Sequence, residues 1–343
     1  MPGTWFHRSI PASSRSQPST LTDVHVRADL IPVLDLGPFL AGEPGAAYAA
    51  AALLRDALER IGFFFVVEHG LDWSLVTEAY RQARRFHGLP PEAKDAIVMD
   101  GRRSGYLRFG GGTSYASAIA GEVRTPNLNA AFFVQRDPSG RRNQWPDLPG
   151  FREAVSAYFD AMATLAHGLL PLYALAVDLP GDHFDPFFAD RPTATLRMSH
   201  YPVVDHGPHD WGLAPHTDSS FMTLLPANDI PGLWIRPEGH DWVEPPPLPD
   251  SFLVNAGDIL APWTNDRFLS TAHRVRNDTG RDRYAIPFFY GARDDAPIEA
   301  LPTCVSAGRP ARYPPTTYGE YQRWFRNRNY ASYTGQEVDE HAP

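Results

Sequence analysis

The chain has little of what marks several large classes of protein: it has one cysteine, no basic run and no long apolar stretch. Cys304 alone cannot form an internal disulfide, which excludes a disulfide-stapled scaffold and a thiolate zinc site. It also favours a reducing compartment, so we expect a cytoplasmic protein. No run reaches the roughly 18 apolar residues of a membrane helix, so no membrane partner is expected. A metal site in this chain must therefore use histidine and carboxylate ligands.

Basic side chains are too scattered along the sequence to follow a phosphate backbone. The formal net charge is −9, with 31 lysines and arginines against 40 acidic residues. These features argue against a nucleic acid as partner and favour a small molecule. We further expect a monomer or a weak homo-oligomer.

Acidic side chains are absent from residues 1–22, which contain arginine and serine. That composition superficially suits an organelle transit peptide. Pro11 and Pro18 interrupt the segment, and no amphipathic helix is evident in it. We therefore interpret residues 1–28 as a disordered tail.

The rest of the chain divides into a helical first part and a strand-rich second part. Residues 29–190 begin with a strand, a helix and a strand, and continue with helices, the longest over residues 151–177. After Pro192, short β-prone runs alternate with proline, glycine and aspartate, which is typical of a barrel or sandwich. We expect residues 191–292 to form this core and residues 293–343 to add a C-terminal helix near the active site.

His216-Thr-Asp218 is the first candidate for chemistry. In a strand, residues i and i+2 point to the same face, so both side chains can reach one metal ion. His273 lies in a second β-prone run and can supply another imidazole. Two imidazoles and one carboxylate leave open positions on an octahedral iron(II). His183-Phe-Asp185 has the same spacing, but it lies in a glycine- and proline-flanked loop, and we interpret it as a chance match.

Arg283 follows ten residues after His273, within the apolar run Arg-Tyr-Ala-Ile-Pro-Phe-Phe-Tyr. A guanidinium group in an apolar strand needs an anionic partner. A carboxylate bound through both oxygens is the natural candidate.

Several motifs together resemble the isopenicillin N synthase-like branch of the iron(II)/2-oxoglutarate-dependent oxygenases. They are Ile31-Pro-Val-Leu-Asp-Leu, Gly62-Phe-Phe-Phe-Val-Val-Glu-His-Gly70, Leu89-Pro-Pro-Glu-Ala-Lys94, Asn143-Gln-Trp-Pro146, Ala214-Pro-His-Thr-Asp218, Gly257-Asp258, Trp263-Thr-Asn265, His273-Arg-Val275 and Arg283-Tyr-Ala285. Their order and spacing cover nearly the whole chain after the tail. The resemblance implies a mainly β fold: a double-stranded β-helix, or jelly roll, wrapped by N-terminal helices.

The resemblance also implies roles for individual residues. His216, Asp218 and His273 match the iron ligands of the family, and Arg283 matches the arginine that pairs with the distal carboxylate of 2-oxoglutarate. Tyr201 matches a tyrosine that supports the same carboxylate. The implied reaction uses Fe(II), 2-oxoglutarate and O2 to oxidise an unactivated C–H bond. Hydroxylation is expected, while desaturation, ring closure and epoxidation stay open.

Two positions depart from the family pattern. Ala285 stands where the family usually has serine, so a hydroxyl donor to 2-oxoglutarate is missing. A hydrogen bond to a charged group contributes about 1.5–3 kcal/mol, which corresponds to about tenfold or more in affinity unless another group compensates. Ser199-His200 stands where the family often has Asn-Tyr, which changes the pocket.

The expected substrate pocket is formed by residues 101–135, the C-terminal helix, Phe221 and Phe288. The first segment carries Tyr106 and four arginines, namely Arg102, Arg103, Arg108 and Arg124. Their positive charge indicates an anionic substrate, and the alternative is that they are solvated loop residues. Residues 110–112, three glycines, are interpreted as a mobile flap.

Three alternatives stay open from the sequence. An oxidase of the same fold can use iron and O2 without 2-oxoglutarate, and Ala285 favours it. A non-catalytic protein can keep the fold for small-molecule binding, but it need not retain all three ligands. A zinc hydrolase can use the same ligands, but no general base accompanies them and Arg283 is then unexplained. An enzyme of secondary metabolism is the expected role.

Overall fold

The structure is a computed structural model that describes residues 30–101, 103–112, 126–137, 143–205, 207 and 210–329. The predicted tail, Arg102 and Arg124 lie outside the described residues.

Eight helices are present in this part of the chain. They are α1 (Gly37–Leu40), α2 (Ala46–Arg60), α3 (Trp73–His87), α4 (Pro91–Asp95), α5 (Phe151–Ala176), α6 (Asp185–Phe188), α7 (Leu260–Trp263) and α8 (Tyr318–Asn329). A short 3-10 helix covers Pro302–Cys304. The long helices follow the apolar periodicity of the sequence, and α3 is capped by Asp72, whose carboxylate accepts a hydrogen bond from the Ser74 amide.

Fourteen strands are described. They are β1 (Val33–Asp35), β2 (Phe63–Val67), β3 (Gly105–Leu107), β4 (Ala130–Gln135), β5 (Thr193–Tyr201), β6 (Leu213–His216), β7 (Met222–Pro226), β8 (Leu233–Arg236), β9 (Phe252–Ala256), β10 (Ala272–Val275), β11 (Arg283–Ala285), β12 (Phe288–Gly291), β13 (Pro297–Ile298) and β14 (Thr316–Thr317). The expected helical first part and strand-rich second part are both present.

The largest sheet joins the two parts of the chain. Its strand order is β1-β2-β9-β7-β12-β5-β4-β3, and β11 also pairs with β5. β1 and β2 run parallel on either side of α2, as expected for the βαβ-like start. β2 then pairs antiparallel with β9, so the N-terminal segment and the strand-rich core share one sheet.

A smaller sheet, in the order β6-β10-β8, lies across a cavity from the large one, because residues of both sheets line that cavity. Among the even-numbered residues of β5, Ala194, Leu196 and Met198 belong to the main hydrophobic core with the helices. The odd-numbered ones line the cavity. This two-sheet jelly roll, wrapped by helices, is the fold that the sequence predicted.

The central helix α5 is long and apolar enough to cross a membrane by length and composition alone. Of the 18-residue apolar segment of α5, 61% is buried inside the protein. The helix contacts α2, α3 and the large sheet. The helix itself was predicted over residues 151–177, but its apolar character was not. Its packing accounts for the composition, because the core helix of a folded domain needs apolar residues on most of its faces.

One predicted strand, over residues 284–290, is two strands in the structure. β11 pairs with β5 alone, whereas β12 pairs with both β5 and β7. Pro287 separates them because proline has no amide hydrogen for the ladder.

Candidate active site

The structure brings His216, Asp218 and His273 together at one end of the small sheet. His216 ends β6 and lies directly opposite His273 on the antiparallel neighbour β10. Asp218 Oδ1 lies 3.8 Å from His216 Nε2 and 3.6 Å from His273 Nε2. One ligand atom from each side chain falls within 4.8 Å of the other two. The predicted cluster therefore has the spacing that a single metal ion requires.

Hydrogen bonds orient both imidazoles towards the cluster. His216 Nδ1 lies 2.8 Å from the carbonyl oxygen of Ala214, and His273 Nδ1 lies 3.2 Å from that of Thr271. A carbonyl oxygen only accepts hydrogen bonds, so Nδ1 carries the hydrogen in each neutral ring. The lone pair of each Nε2 is then available for a metal.

The carboxylate of Asp218 is fixed in the same way. Its Oδ2 accepts hydrogen bonds from Thr223 Oγ1 at 2.7 Å and from Asn255 Nδ2 at 2.8 Å. Oδ1 faces the two imidazoles. Thr223 and Asn255 therefore present one oxygen to the centre, a function that the sequence analysis did not assign to either residue.

The pKa shifts of Asp218 and His216 suit metal binding. Burial alone raises the pKa of Asp218, but nearby His273 and His216 and the Thr223 hydroxyl lower it more, so the pKa lies below its usual range. Burial, with His273 alongside, lowers the pKa of His216 to about 3. Burial lowers the pKa of His273 too, but the attraction of Asp218 outweighs it and the net shift is upwards. At neutral pH Asp218 is an anion and His216 a neutral ligand.

A second centre lies where β11 pairs with β5. Arg283 is opposite Tyr201 in the strand register, and its guanidinium carbon lies 5.4 Å from the centre of the tyrosine ring. The side chain is 2% exposed, and Nε donates to the carbonyl oxygen of Ile230 at 3.1 Å. Nη1 has no hydrogen-bond partner among the described residues. A buried guanidinium that borders a cavity with an unused donor fits a bound carboxylate.

A third polar group on the same wall was not predicted. Arg197, on β5, is 7% exposed and lines the cavity. Its Nη2 donates to Asn129 Oδ1 at 2.8 Å, and Nε has no partner within the described residues. Its charge contributes to lowering the pKa of His216, so the two groups are within electrostatic reach. The available signal was strand alternation, because Arg197 lies four residues before Tyr201.

The cavity that contains these groups has a volume of about 1040 Å³. The C-terminal helix α8 closes part of it with Tyr318, Gln322 and Phe325, as expected. Gln322 Nε2 donates to the carbonyl oxygen of Ser219, next to the metal-ligand cluster, at 2.6 Å. The cavity is large enough for 2-oxoglutarate and a small organic substrate together.

Neither of the two phenylalanines predicted for the pocket lines the cavity. Phe221 and Phe288 are both fully buried in the main core, on the helical side of the large sheet. Phe288 packs against Phe159 at 5.1 Å between ring centres. Phe289 lines the cavity instead, because successive side chains of a strand point to opposite faces.

The predicted pocket segment 101–135 does line the cavity, with six of its described residues: Arg103, Leu107, Gly112, Asn127, Phe133 and Gln135. Arg103 lines the cavity, and Arg102 and Arg124 are outside the described residues. Tyr106 faces the helical core beside Phe86, so its assignment to the pocket is wrong. Arg108 is half exposed and pairs with Asp95 at 2.8 Å, away from the cavity, so its assignment is wrong as well.

His183 was interpreted as a chance match, and the geometry agrees. Its ring packs edge-on against Phe184 and Phe187. Among the described residues, the one group that could hold a metal ion consists of His216, Asp218 and His273.

Comparison with known proteins identifies the family of the chain. Residues 31–148 match the family model for the non-haem dioxygenase N-terminal region, described from morphine synthesis, and residues 192–292 match that of the 2OG-Fe(II) oxygenase superfamily. A 2-oxoglutarate-Fe(II) type oxidoreductase, hxnY, from Emericella nidulans is 32% identical over 321 residues, covering 87% of this chain and 90% of the relative. The chain belongs to the 2OG-Fe(II) oxygenase superfamily.

Solved structures of oxygenases of this superfamily share the fold. Neurospora crassa T7H, in complex with alpha-KG and 5-formyluracil, matches with a TM-score of 0.75 and 26% identity, covering 85% of this chain and 95% of that one. JOX2, in complex with 2OG, Fe and JA, matches with a TM-score of 0.74 and 27% identity, covering 91% and 89%.

The protein is therefore an iron(II)- and 2-oxoglutarate-dependent oxygenase that acts on a small molecule and uses O2. This membership sets aside the zinc hydrolase and the non-catalytic binding protein. The relative named for 2-oxoglutarate and the neighbours that hold alpha-KG or 2OG favour 2-oxoglutarate dependence over the oxidase that works without it.

Proposed function

We propose that His216, Asp218 and His273 are the three protein ligands of the catalytic iron. The observation that carries the proposal is their convergence: both Nε2 atoms face the one carboxylate oxygen that hydrogen bonds leave unused. Three ligands leave positions on an octahedral ion for 2-oxoglutarate and O2. When bound, the iron would activate O2, which is the oxidant: two electrons would come from oxidation of 2-oxoglutarate to succinate and CO2, and two from the substrate C–H bond.

We further propose that Arg283 pairs with the distal carboxylate of 2-oxoglutarate and that Tyr201 supports it. The unused Nη1 donor of Arg283 supports this assignment, together with the apolar side chains around it: Leu213, Leu225 and Val275 also line the cavity. Apolar walls exclude water and strengthen the attraction between a guanidinium and a carboxylate. The chain's own contribution is thus to hold the co-substrate in one orientation and to exclude water around it.

For the substrate, we propose a small organic molecule with an anionic group that pairs with Arg197. No carboxylate pairs with this guanidinium within the described residues, and its Nε is buried without an acceptor. The segment that first indicated an anionic substrate contributes Arg103 to the same cavity. The complex of the related JOX2 holds JA, so carboxylic acids are natural first probes. Hydroxylation in secondary metabolism, in the cytoplasm, is the proposed role.

Metal titration tests the ligand assignment. Anaerobic titration of the purified protein should give one Fe(II) per chain. His216→Ala and Asp218→Ala should lose iron binding and turnover, since each removes one of three ligands. His183→Ala is the matched control and should keep both. Loss of iron from His183→Ala, or normal iron binding by Asp218→Ala, would contradict the assignment.

A paired substrate screen tests the anionic group. Succinate formation is measured with small carboxylic acids, jasmonate among them, and with their methyl esters. Acids that stimulate succinate formation should lose most of that effect as esters and in Arg197→Met. Arg281→Met, an exposed arginine, should respond to the acids as the wild type does. An equal response to acids and esters would refute this part of the proposal.

A further inference from the structure

In the proposed function, 2-oxoglutarate binds against the cavity wall beside Arg283. Ala285 lies in this wall and has no hydroxyl to donate to the co-substrate. β11 and β5 are antiparallel, with Arg283 opposite Tyr201 and Ala285 opposite Ser199. Directly opposed residues of an antiparallel pair have Cβ atoms about 4.5–5.5 Å apart and point to the same face. All four residues line the cavity. They therefore form a two-by-two patch on its wall.

Ser199 has an unused hydroxyl in this patch. The side chain is 1% exposed, and its Oγ has no hydrogen-bond partner among the described residues. Buried hydroxyls are nearly always hydrogen-bonded, so an unpaired one that borders a cavity indicates a ligand. Arg283 Nη1 is the other unpaired donor of the patch. The two unpaired donors lie on neighbouring strands, two residues apart in the register and therefore on the same face.

We propose that Ser199 donates a hydrogen bond to the distal carboxylate of 2-oxoglutarate and so replaces the hydroxyl that is missing at Ala285. This inference rests on the proposed function of Arg283. In the family pattern the hydroxyl lies on β11, whereas in this chain the opposed residue of β5 supplies it on the same face. The two departures from the family pattern, at positions 199 and 285, are then one compensated change.

A double-mutant cycle tests the exchange. The dissociation constant of 2-oxoglutarate is measured anaerobically, without substrate, from the visible absorption of the Fe(II) protein. Ser199→Ala should weaken 2-oxoglutarate binding about tenfold, the effect of losing one hydrogen bond to a charged group. Adding Ala285→Ser to Ser199→Ala should restore most of the affinity. Ala285→Ser alone should change it less than threefold, because the hydroxyl is already supplied.

Controls separate this role from a general structural one. Ser199→Ala should keep the iron affinity and the melting temperature, because the hydroxyl has no hydrogen-bond partner to lose in the described part of the chain. Thr195→Val removes another hydroxyl from the same face of β5, one that donates to Gln135, and should leave 2-oxoglutarate affinity unchanged.

The outcomes are distinguishable. Unchanged 2-oxoglutarate affinity in Ser199→Ala overturns the inference and leaves the function of Arg283 intact. A tenfold gain in Ala285→Ser alone also overturns it, and this variant retains Ser199, so it stays informative if Ser199→Ala fails to fold. Absence of any 2-oxoglutarate-dependent absorption in the iron-loaded wild type would overturn the proposed co-substrate site itself.

Discussion

Replacing Thr223 by valine should weaken iron binding although Thr223 is not a ligand. Thr223 Oγ1 donates to Asp218 Oδ2 at 2.7 Å, and the side chain is buried. Valine keeps the shape and removes the donor. A hydrogen bond to a charged group contributes about 1.5–3 kcal/mol, and loss of a group that orients a metal ligand typically costs about 10–100-fold in affinity. We expect an iron(II) dissociation constant about 10–100-fold higher.

The assay is anaerobic competition for Fe(II) with a coloured chelator. Thr195→Val, the same substitution at a threonine that also lines the cavity, controls for loss of a hydroxyl there. Asn255 Nδ2 is the second donor to the same oxygen, so Thr223→Val combined with Asn255→Leu should cost more than either change alone. An unchanged dissociation constant in Thr223→Val, or an equal shift in Thr195→Val, would refute the argument.

Three further predictions test other parts of the molecule. Arg283→Gln should raise the 2-oxoglutarate dissociation constant at least about a hundredfold, since breaking a buried charge pair costs about 3–5 kcal/mol; titration should show no such change in the exposed control Arg281→Gln. Tyr321→Phe should lower the free energy of unfolding by about 1–3 kcal/mol, because buried Asp258 Oδ2 loses a donor at 2.8 Å, and an unchanged denaturation midpoint would contradict this. Burial lowers the pKa of His87 to about 3, so protonating this side chain destabilises the folded protein. The free energy of unfolding is therefore unaffected by His87 well above its unfolded pKa of about 6.5, and it decreases as the pH falls from there towards 3. Between pH 7.5 and 5.5 the wild type should lose about 1.4 kcal/mol more than His87→Gln in denaturant unfolding, and equal losses would contradict the assigned pKa.

The metal cluster was accessible from sequence because its signal is local. His216 and Asp218 are two residues apart at a strand end, and strand geometry alone places them on one face. His273 required only that a second strand reach the same point, which the motif order indicated. The groups that orient these ligands were not accessible. Asn255 reaches Asp218 because β9 pairs with β7, and that pairing depends on the packing of the whole sheet.

The wall of the cavity shows most clearly what could not be predicted from the sequence. Strand alternation says that Arg197, Ser199 and Tyr201 share a face, but it does not say which face borders the cavity. Alternation from Arg283, which borders the cavity, points to Phe289 rather than to the predicted Phe288, and Phe289 does line the cavity. Only the assignment of Tyr201, which was made by resemblance, indicates which face of β5 borders the cavity.

Ser199 and Ala285 lie opposite each other because of the register in which β5 and β11 pair. The two residues are 86 positions apart in the sequence, and each was recognised there as a separate departure. The pairing of β5 with β11 makes them neighbours on the cavity wall. Non-local pairing of this kind has no signature in one sequence, so the compensation was invisible before the fold was known.

The central claim is that Fe(II) at His216, Asp218 and His273 shares a cavity with 2-oxoglutarate held by Arg283. The most direct test records the visible spectrum of the anaerobic Fe(II) protein before and after 2-oxoglutarate is added, since chelation of iron by a 2-oxo acid gives a weak charge-transfer band. We predict that the band appears in the wild type, is absent in Asp218→Ala, and requires much more 2-oxoglutarate in Arg283→Gln. Iron bound to the wild type without any band, or a band unaffected by both variants, would contradict the account.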